Sequence, residues 1–119
     1  MALRNRFFFL ILVVGMIVAC GPDTIFLRPA LDTPEQHVKN GHNLLSRGKI
    51  DAAQAEFVRA KTLDTDYAPA YVGIALVQAH QGDVDGGMAT LERARSLAAT
   101  AEQDQEVDRC LKRLQGMRQ

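Results

Sequence analysis

The sequence has no tryptophan, only two cysteines and no excess of charge of either sign. Its 14 basic and 14 acidic side chains cancel, so we expect no basic surface for nucleic acid. Two cysteines are too few for a disulfide-stapled scaffold. An apolar fraction of 47% excludes a disordered chain, and 119 residues leave room for one small domain with little space for a catalytic one.

The longest apolar run lies at the N-terminus and follows Arg4 and Arg6. Residues 7–18 are all apolar except Gly15. As a helix rising about 1.5 Å per residue, this run would reach about 18 Å, well short of a bilayer core of about 30 Å. A basic start, a short apolar run and small residues after it predict a secretory signal peptide over residues 1–19.

The end of this leader, Ile17-Val18-Ala19-Cys20, resembles the lipobox of bacterial lipoproteins. The resemblance implies cleavage before Cys20, acylation of its thiol by palmitate-type chains, and attachment of the mature chain to a membrane through lipid. Gly21 resembles the outer-membrane default of proteobacterial lipoproteins, which implies the cell envelope and a domain facing the periplasm. That rule depends on the organism, so the inner membrane stays open. The alternative is an uncleaved anchor with an incidental cysteine.

Residues 20–33 are predicted to form the lipidated cysteine and a tether, because they hold Pro22 and Pro29 and show no helical or strand period. The apolar triplet from Ile25 to Leu27 is unusual in a linker. It would either pack on the domain or enter lipid headgroups. With Cys20 acylated, Cys110 has no internal partner, so it is either a small buried residue or the site of an intermolecular disulfide.

From Pro34 onward, the sequence repeats at an interval of 34 residues. Gly48, Gly82 and Gly116 are spaced by this interval. The same offset pairs Val38 with Val72, Phe57 with Leu91, Arg59 with Arg93, Ala60 with Ala94, and Leu63 with Leu97. Self-similarity at this interval indicates a stacked array of helices.

Each unit is expected to hold two helices. Thr33 is the predicted N-cap of the first, with Pro34 at its first position and Gln36 reaching back to form a capping box. Gly48 would end this helix at a positive φ. Apolar residues at helical spacing predict helices over 34–47, from about 51, over 68–81, over 85–97 and over 102–115. The last has one apolar and one polar face, as a terminal capping helix requires.

These residues make the chain similar to tetratricopeptide repeat (TPR) proteins. The matching positions are Gly41, Leu44, Ala53, Phe57, Ala60, Tyr71, Ile74 and Ala75. The sequence departs from the family pattern at His37, Asn40, Gln78, Gly87, Thr65 and Ala99. The resemblance implies an all-α fold with TPR repeats at 34–67 and 68–101, followed by a capping helix and tail at 102–119.

No residue pattern indicates catalysis, a metal site or a cofactor. His37 and His42 are five residues apart, roughly 140° around a helix, so they do not converge on one metal. Gly86-Gly87 has neither the preceding strand nor the lysine of a phosphate loop. We therefore expect no enzyme, no cofactor and no metal.

In the TPR family, the first helix of each unit lines a concave groove that binds a partner. The corresponding residues here are Val38, His42, Leu45, Val72, Leu76, Ala79 and His80. This mostly apolar set suits an apolar segment or an amphipathic helix. Leu76 is expected to face the groove, so that Leu76→Asp would disrupt association and leave the domain folded. The alternative is that these residues fill core between helices.

Together, these expectations describe a membrane-anchored TPR lipoprotein that acts as a protein–protein interaction and assembly scaffold in the cell envelope, for example in pilus, secretion or outer-membrane machinery. The alternative function is that of a structural lipoprotein that associates with its own copies. A site for a small ligand or a reaction, built on His42 and His80, is a third and weaker hypothesis.

We predict that Cys20→Ser leaves the chain uncleaved at full length and outside the lipoprotein fraction, because acylation requires the thiol at this position. Mass spectrometry and detergent partitioning would measure this. A mutant that matures to the wild-type mass and stays membrane-bound would rule out lipidation at Cys20.

Overall fold

The computed structural model describes Asp32–Gln119, and each regular element in this range is an α-helix. The five helices are α1 (Pro34–Ser46), α2 (Ile50–Leu63), α3 (Ala68–His80), α4 (Val84–Leu97) and α5 (Ala101–Arg118). The all-α prediction is confirmed for these residues, which contain no strand. The predicted signal peptide, the lipidated Cys20 and all but the last two residues of the tether lie outside the described range.

Helix ends follow local signals. Oγ1 of Thr33 accepts a hydrogen bond from the backbone N–H of Gln36 at 3.2 Å, which confirms the predicted N-cap. The predicted capping box is wrong, because the Gln36 side chain instead donates to Oδ1 of Asn40 at 2.9 Å. Gly48 and Gly82 follow α1 and α3 with φ of 72° and 91°, where a side chain would be strained.

Gly116 differs from the other two glycines of the series. It lies inside α5, which continues to Arg118, so the predicted end of this helix near residue 115 is wrong by about one turn. A glycine ends a helix when its backbone turns to positive φ, and among the described glycines only Gly48 and Gly82 do so.

The helix bounds themselves repeat at 34 residues. Helices α1 and α3 have 13 residues each, and α2 and α4 have 14 each, with starts separated by the repeat interval. The three-residue connections within the pairs α1–α2 and α3–α4 make the paired helices antiparallel. Helix α3 also packs on α1 and α2, and α5 packs on α3 and α4.

The core of residues 32–119 consists of two adjoining clusters. The Phe57 cluster contains Val38, Ala53, Phe57, Ala60, Ala70 and Val77. The Leu91 cluster contains Tyr71, Val72, Ala75, Leu76, Ala79, Leu91, Ala94, Val107, Leu111 and Leu114. Leu45 on α1 packs against both clusters, which join along α3.

The ring of Phe57 fits between two glycines on neighbouring helices. A Cβ atom at Gly41 of α1 would lie 2.6 Å from Cε1 of the ring, and one at Gly73 of α3 would overlap Cδ1 even more closely. Real Cβ atoms do not approach carbon this closely, so both positions need glycine while Phe57 is present. The ring is fully buried, and its size sets how closely α1, α2 and α3 approach.

The second unit has side chains of different sizes at the three equivalent positions. One interval after Phe57, Gly41 and Gly73 stand Leu91, Ala75 and Val107, and all three are fully buried in the Leu91 cluster. A smaller side chain at the centre leaves room for larger side chains on either side. In each unit, the sizes of the central and flanking side chains are thus complementary, which allows close packing.

We predict that Gly73→Ala lowers the free energy of unfolding by about 1–3 kcal/mol, because the added methyl group forces the Phe57 ring out of its position. Urea denaturation followed by circular dichroism measures this change.

The matched control is Gly116→Ala, a glycine-to-alanine change in α5 at a position with no other atoms within 4 Å of the added Cβ. It should be neutral or stabilise by up to about 1 kcal/mol. Equal stability of the Gly73→Ala variant and wild type would show that the ring does not need this glycine.

Candidate functional site

Four of the seven predicted groove residues line one open cleft of about 430 Å³. Its walls come from α1, α3 and α5, and its lining residues are His42, Leu45, Ser46, Leu76, His80 and Arg113. The other three predicted residues, Val38, Val72 and Ala79, are 9%, 1% and 4% exposed and belong to the core clusters. They fill the space between helices and offer almost no surface to a partner.

The cleft forms because residues of α1, α3 and α5 that are separated by the 34-residue interval lie on the same side of the domain. His42 and Leu76 are one interval apart, and so are Ser46 and His80. Arg113 lies two intervals after Leu45. Sequence reasoning missed Arg113, although the 34-residue offset, extended into α5, would have placed it beside the predicted groove residues.

Leu76 belongs to the core as well as to the cleft. Its side chain is 7% exposed and packs in the Leu91 cluster, while its edge reaches the cleft. The expectation that Leu76 faces only the groove is therefore wrong. A carboxylate at this position would remove apolar packing from the Leu91 cluster and place a charge in a largely buried site, so Leu76→Asp would destabilise the domain and cannot serve to test binding.

The cleft has an apolar floor and a polar rim. Leu45 and Leu76 form the floor. The His42 ring makes an edge contact with Phe57, with centroids 5.2 Å apart, so the core fixes this wall of the cleft. The Ser46 hydroxyl donates to the backbone carbonyl of Asn43 at 2.8 Å, so its proton is held within α1. An apolar floor with a polar rim suits contact with a segment that has both apolar and polar side chains.

Cys110 lies next to this region on α5, half-buried against the Leu91 cluster. Burial, and after it the charge of Glu106, raises the pKa of its thiol, and Arg113 and Arg109 oppose this only in part. A raised pKa keeps the thiol protonated and unreactive. The structure thus favours the interpretation of Cys110 as a small packing residue. Within residues 32–119, no three His, Cys, Asp or Glu side chains are grouped to hold a metal.

A second polar site joins the end of the predicted tether to α1 and α2. Nε2 of His37 lies 2.8 Å from Oδ1 of Asp32, and its Nδ1 lies 2.7 Å from Oε2 of Glu56. Nε of Arg59 donates to the same Asp32 oxygen at 3.2 Å. A neutral imidazole has only one N–H, so only the charged ring can donate to both carboxylates. We call these four residues the Asp32 network.

Charge and hydrogen bonds in the Asp32 network shift the pKa values of three of its members, and Asp32 raises that of Arg59. Hydrogen bonds from Arg59, and then from His37, lower the pKa of Asp32 from 3.8 to about 2. Partial burial alone would lower the pKa of His37, but hydrogen bonds with Asp32 and Glu56 outweigh burial and raise it above 6.5. The contribution of Asp32 to stability is therefore present above its ordinary pKa and is lost as pH falls towards 2.

A scan of the chain against protein-family models finds no matching family, and a search of curated proteins finds no matching relative. In the described part of the chain, no helix has both the length and the apolar character needed to cross a membrane. The cleft is thus the feature of these residues from which a function can be inferred.

We predict that the stabilising effect of His37 declines as pH rises. Because folding raises the pKa of His37, its contribution is fully present below about pH 6.5 and disappears as pH passes through the raised value. The difference in free energy of unfolding between wild type and His37→Gln should therefore shrink from about pH 6 to about pH 9.

Urea denaturation at several pH values measures this difference, and an NMR titration of the His37 ring reports its pKa directly. Glu56→Gln should lower the NMR midpoint of His37, since it removes one of the two carboxylates. A stability difference that does not change with pH would show that the charged ring is not what stabilises this edge of the domain.

Proposed function

We propose that this chain is a lipid-anchored protein of the bacterial cell envelope that uses a TPR-type array to hold a protein partner near the membrane. The observation that carries the proposal is the open cleft between α1, α3 and α5, with its apolar floor of Leu45 and Leu76. An apolar floor surrounded by polar groups is the pattern of a protein-binding surface.

Two structural facts support the TPR-type arrangement. The helix pairs repeat in length and in starting position at 34 residues, which is the length of the TPR unit. A large buried residue on the second helix of the first unit, Phe57, packs against a glycine on the first helix, Gly41, as the TPR pattern requires. In such arrays, adjacent first helices form a continuous surface that binds extended or helical segments.

The envelope location is supported by the sequence of the leader. Ile17-Val18-Ala19-Cys20 carries the thiol needed for acylation, and Gly21 favours the outer membrane over the inner one. Several acyl chains would anchor the chain stably where a single one would not. A tether over residues 21–33 could hold the domain up to about 45 Å from that anchor.

The form of the cleft favours a protein partner over a small ligand. It is open to solvent and lined by residues of α1, α3 and α5, so it does not enclose a molecule. Its volume of about 430 Å³ suits one or two side chains from a segment that lies across it. Such a segment would be an apolar extended stretch or an amphipathic helix.

Self-association is the second candidate function, and a specific observation favours it. Val58, Leu63 and Met117 are large apolar residues that are 44%, 37% and 49% exposed, on α2 and α5 and outside the cleft. Contact between copies of the chain through these residues would remove them from water.

We predict that a photoreactive amino acid in place of Ser46 cross-links the chain, expressed in its own cell envelope, to a discrete protein partner. Ser46 is exposed at the rim of the cleft, so the probe reaches a bound segment without disturbing the core. Gel migration and mass spectrometry of the adduct identify what it contains.

The matched control places the same probe at Lys112, which is exposed on α5 and does not line the cleft. A discrete adduct from position 46 and none from position 112 supports the proposal. An adduct of twice the chain mass would mean that a second copy of the chain occupies the cleft, which supports self-association through the cleft and not through Val58, Leu63 and Met117. Equal labelling from the two positions, or none from position 46, would contradict a binding role for the cleft.

A further inference from the structure

The cleft carries the positive charge of Arg113 without a negative counterpart. Its polar lining residues are His42, Ser46, His80 and Arg113, and no aspartate or glutamate is among them. Glu106 lies on the same helix as Arg113 but seven residues earlier, about 10 Å along the axis. The end of the cleft near Arg113 is therefore the place where a negative group from outside would be attracted.

Three of the seven arginines in residues 32–119 form ion pairs with acidic side chains. Arg59 pairs with Asp32, Arg95 with both Asp104 and Asp108, and Arg118 with Asp85. These pairs join helices to one another or to the tether. No acidic side chain among residues 32–119 pairs with Arg113, and of the arginines without such a partner Arg113 is the one that lines this cleft.

Arg113 also stands next to the apolar floor of the cleft. Leu45 and Leu76 are lining residues of the same cleft, so an apolar side chain placed between them would share the cleft with the guanidinium. A guanidinium binds a carboxylate through two parallel hydrogen bonds, which fixes the direction of the bound group as well as its charge.

We infer that the cleft takes an acidic partner segment, one that inserts an apolar side chain between Leu45 and Leu76 and directs a carboxylate to Arg113. This inference rests on the proposed function and names the chemistry of the partner. The apolar contact supplies binding that is insensitive to salt. The carboxylate selects the segment, and its attraction weakens as ionic strength rises.

Two peptides that share leucines at helical spacing would test the inference. One carries Glu and the other Lys at every polar position. Binding is measured by fluorescence polarisation to the full chain in nanodiscs of zwitterionic phosphatidylcholine, with protein-free nanodiscs as the blank. We expect the Glu peptide to bind about tenfold more tightly than the Lys peptide at low salt, and the preference to shrink to about twofold in 1 M salt.

Arg113→Glu should reverse the preference between the two peptides. The matched control is Arg109→Glu, which makes the same change of charge one turn earlier on α5, at an exposed residue outside the cleft. It should keep the preference for the Glu peptide. Circular dichroism of the two variants confirms that they are equally folded.

Failure of the acidic specificity and failure of the proposed binding function would give different results. If the two peptides bind equally and the Arg113→Glu variant binds like wild type, the acidic specificity is wrong while a peptide-binding cleft remains. If neither peptide binds, the cleft is not a binding site, and both the inference and the proposed function are overturned.

Discussion

The ring of Phe57 is the constraint on which the rest of the domain depends. It is fully buried between Gly41 and Gly73, at distances that exclude a Cβ atom at either position. The ring therefore determines how closely α1 and α3 approach α2. Because the His42 ring rests with its edge against Phe57, the same contact fixes one wall of the cleft. A substitution that moves the Phe57 ring in the core would therefore also move the His42 side chain and change the shape of the cleft.

The central position of α3 decides which residues remain available for binding. Helix α3 is covered by α1, α2, α4 and α5, and most of its side chains are buried. From α3, only the edge of Leu76 and the exposed His80 reach the cleft. Helices α1 and α5 supply the remaining lining residues. The lining of the cleft therefore comes largely from the first and last of the five helices.

Local patterns in the sequence were sufficient to predict the five helices and their spacing, because caps such as Thr33 and turn residues such as Gly48 act within a few residues. They did not separate groove from core on α3, since the neighbours that bury Val72 belong to other parts of the chain. The Asp32 network was also beyond sequence reasoning. Its members come from the tether, α1 and α2, and they meet only when all three are in place.

The side chains packed around Phe57 in the first unit cannot be exchanged for those packed around Leu91 in the second unit. Phe57 requires glycine on the helix that follows it, whereas Leu91 is followed by Val107 at the equivalent position. Each unit is thus matched to its successor and not only to itself. Exchanging the order of the two units would bring the phenyl ring against Val107, and duplicating the first unit would bring it against Lys39, the residue one interval before Gly73. The array could therefore be extended or rearranged only if residues on both sides of a junction were replaced together.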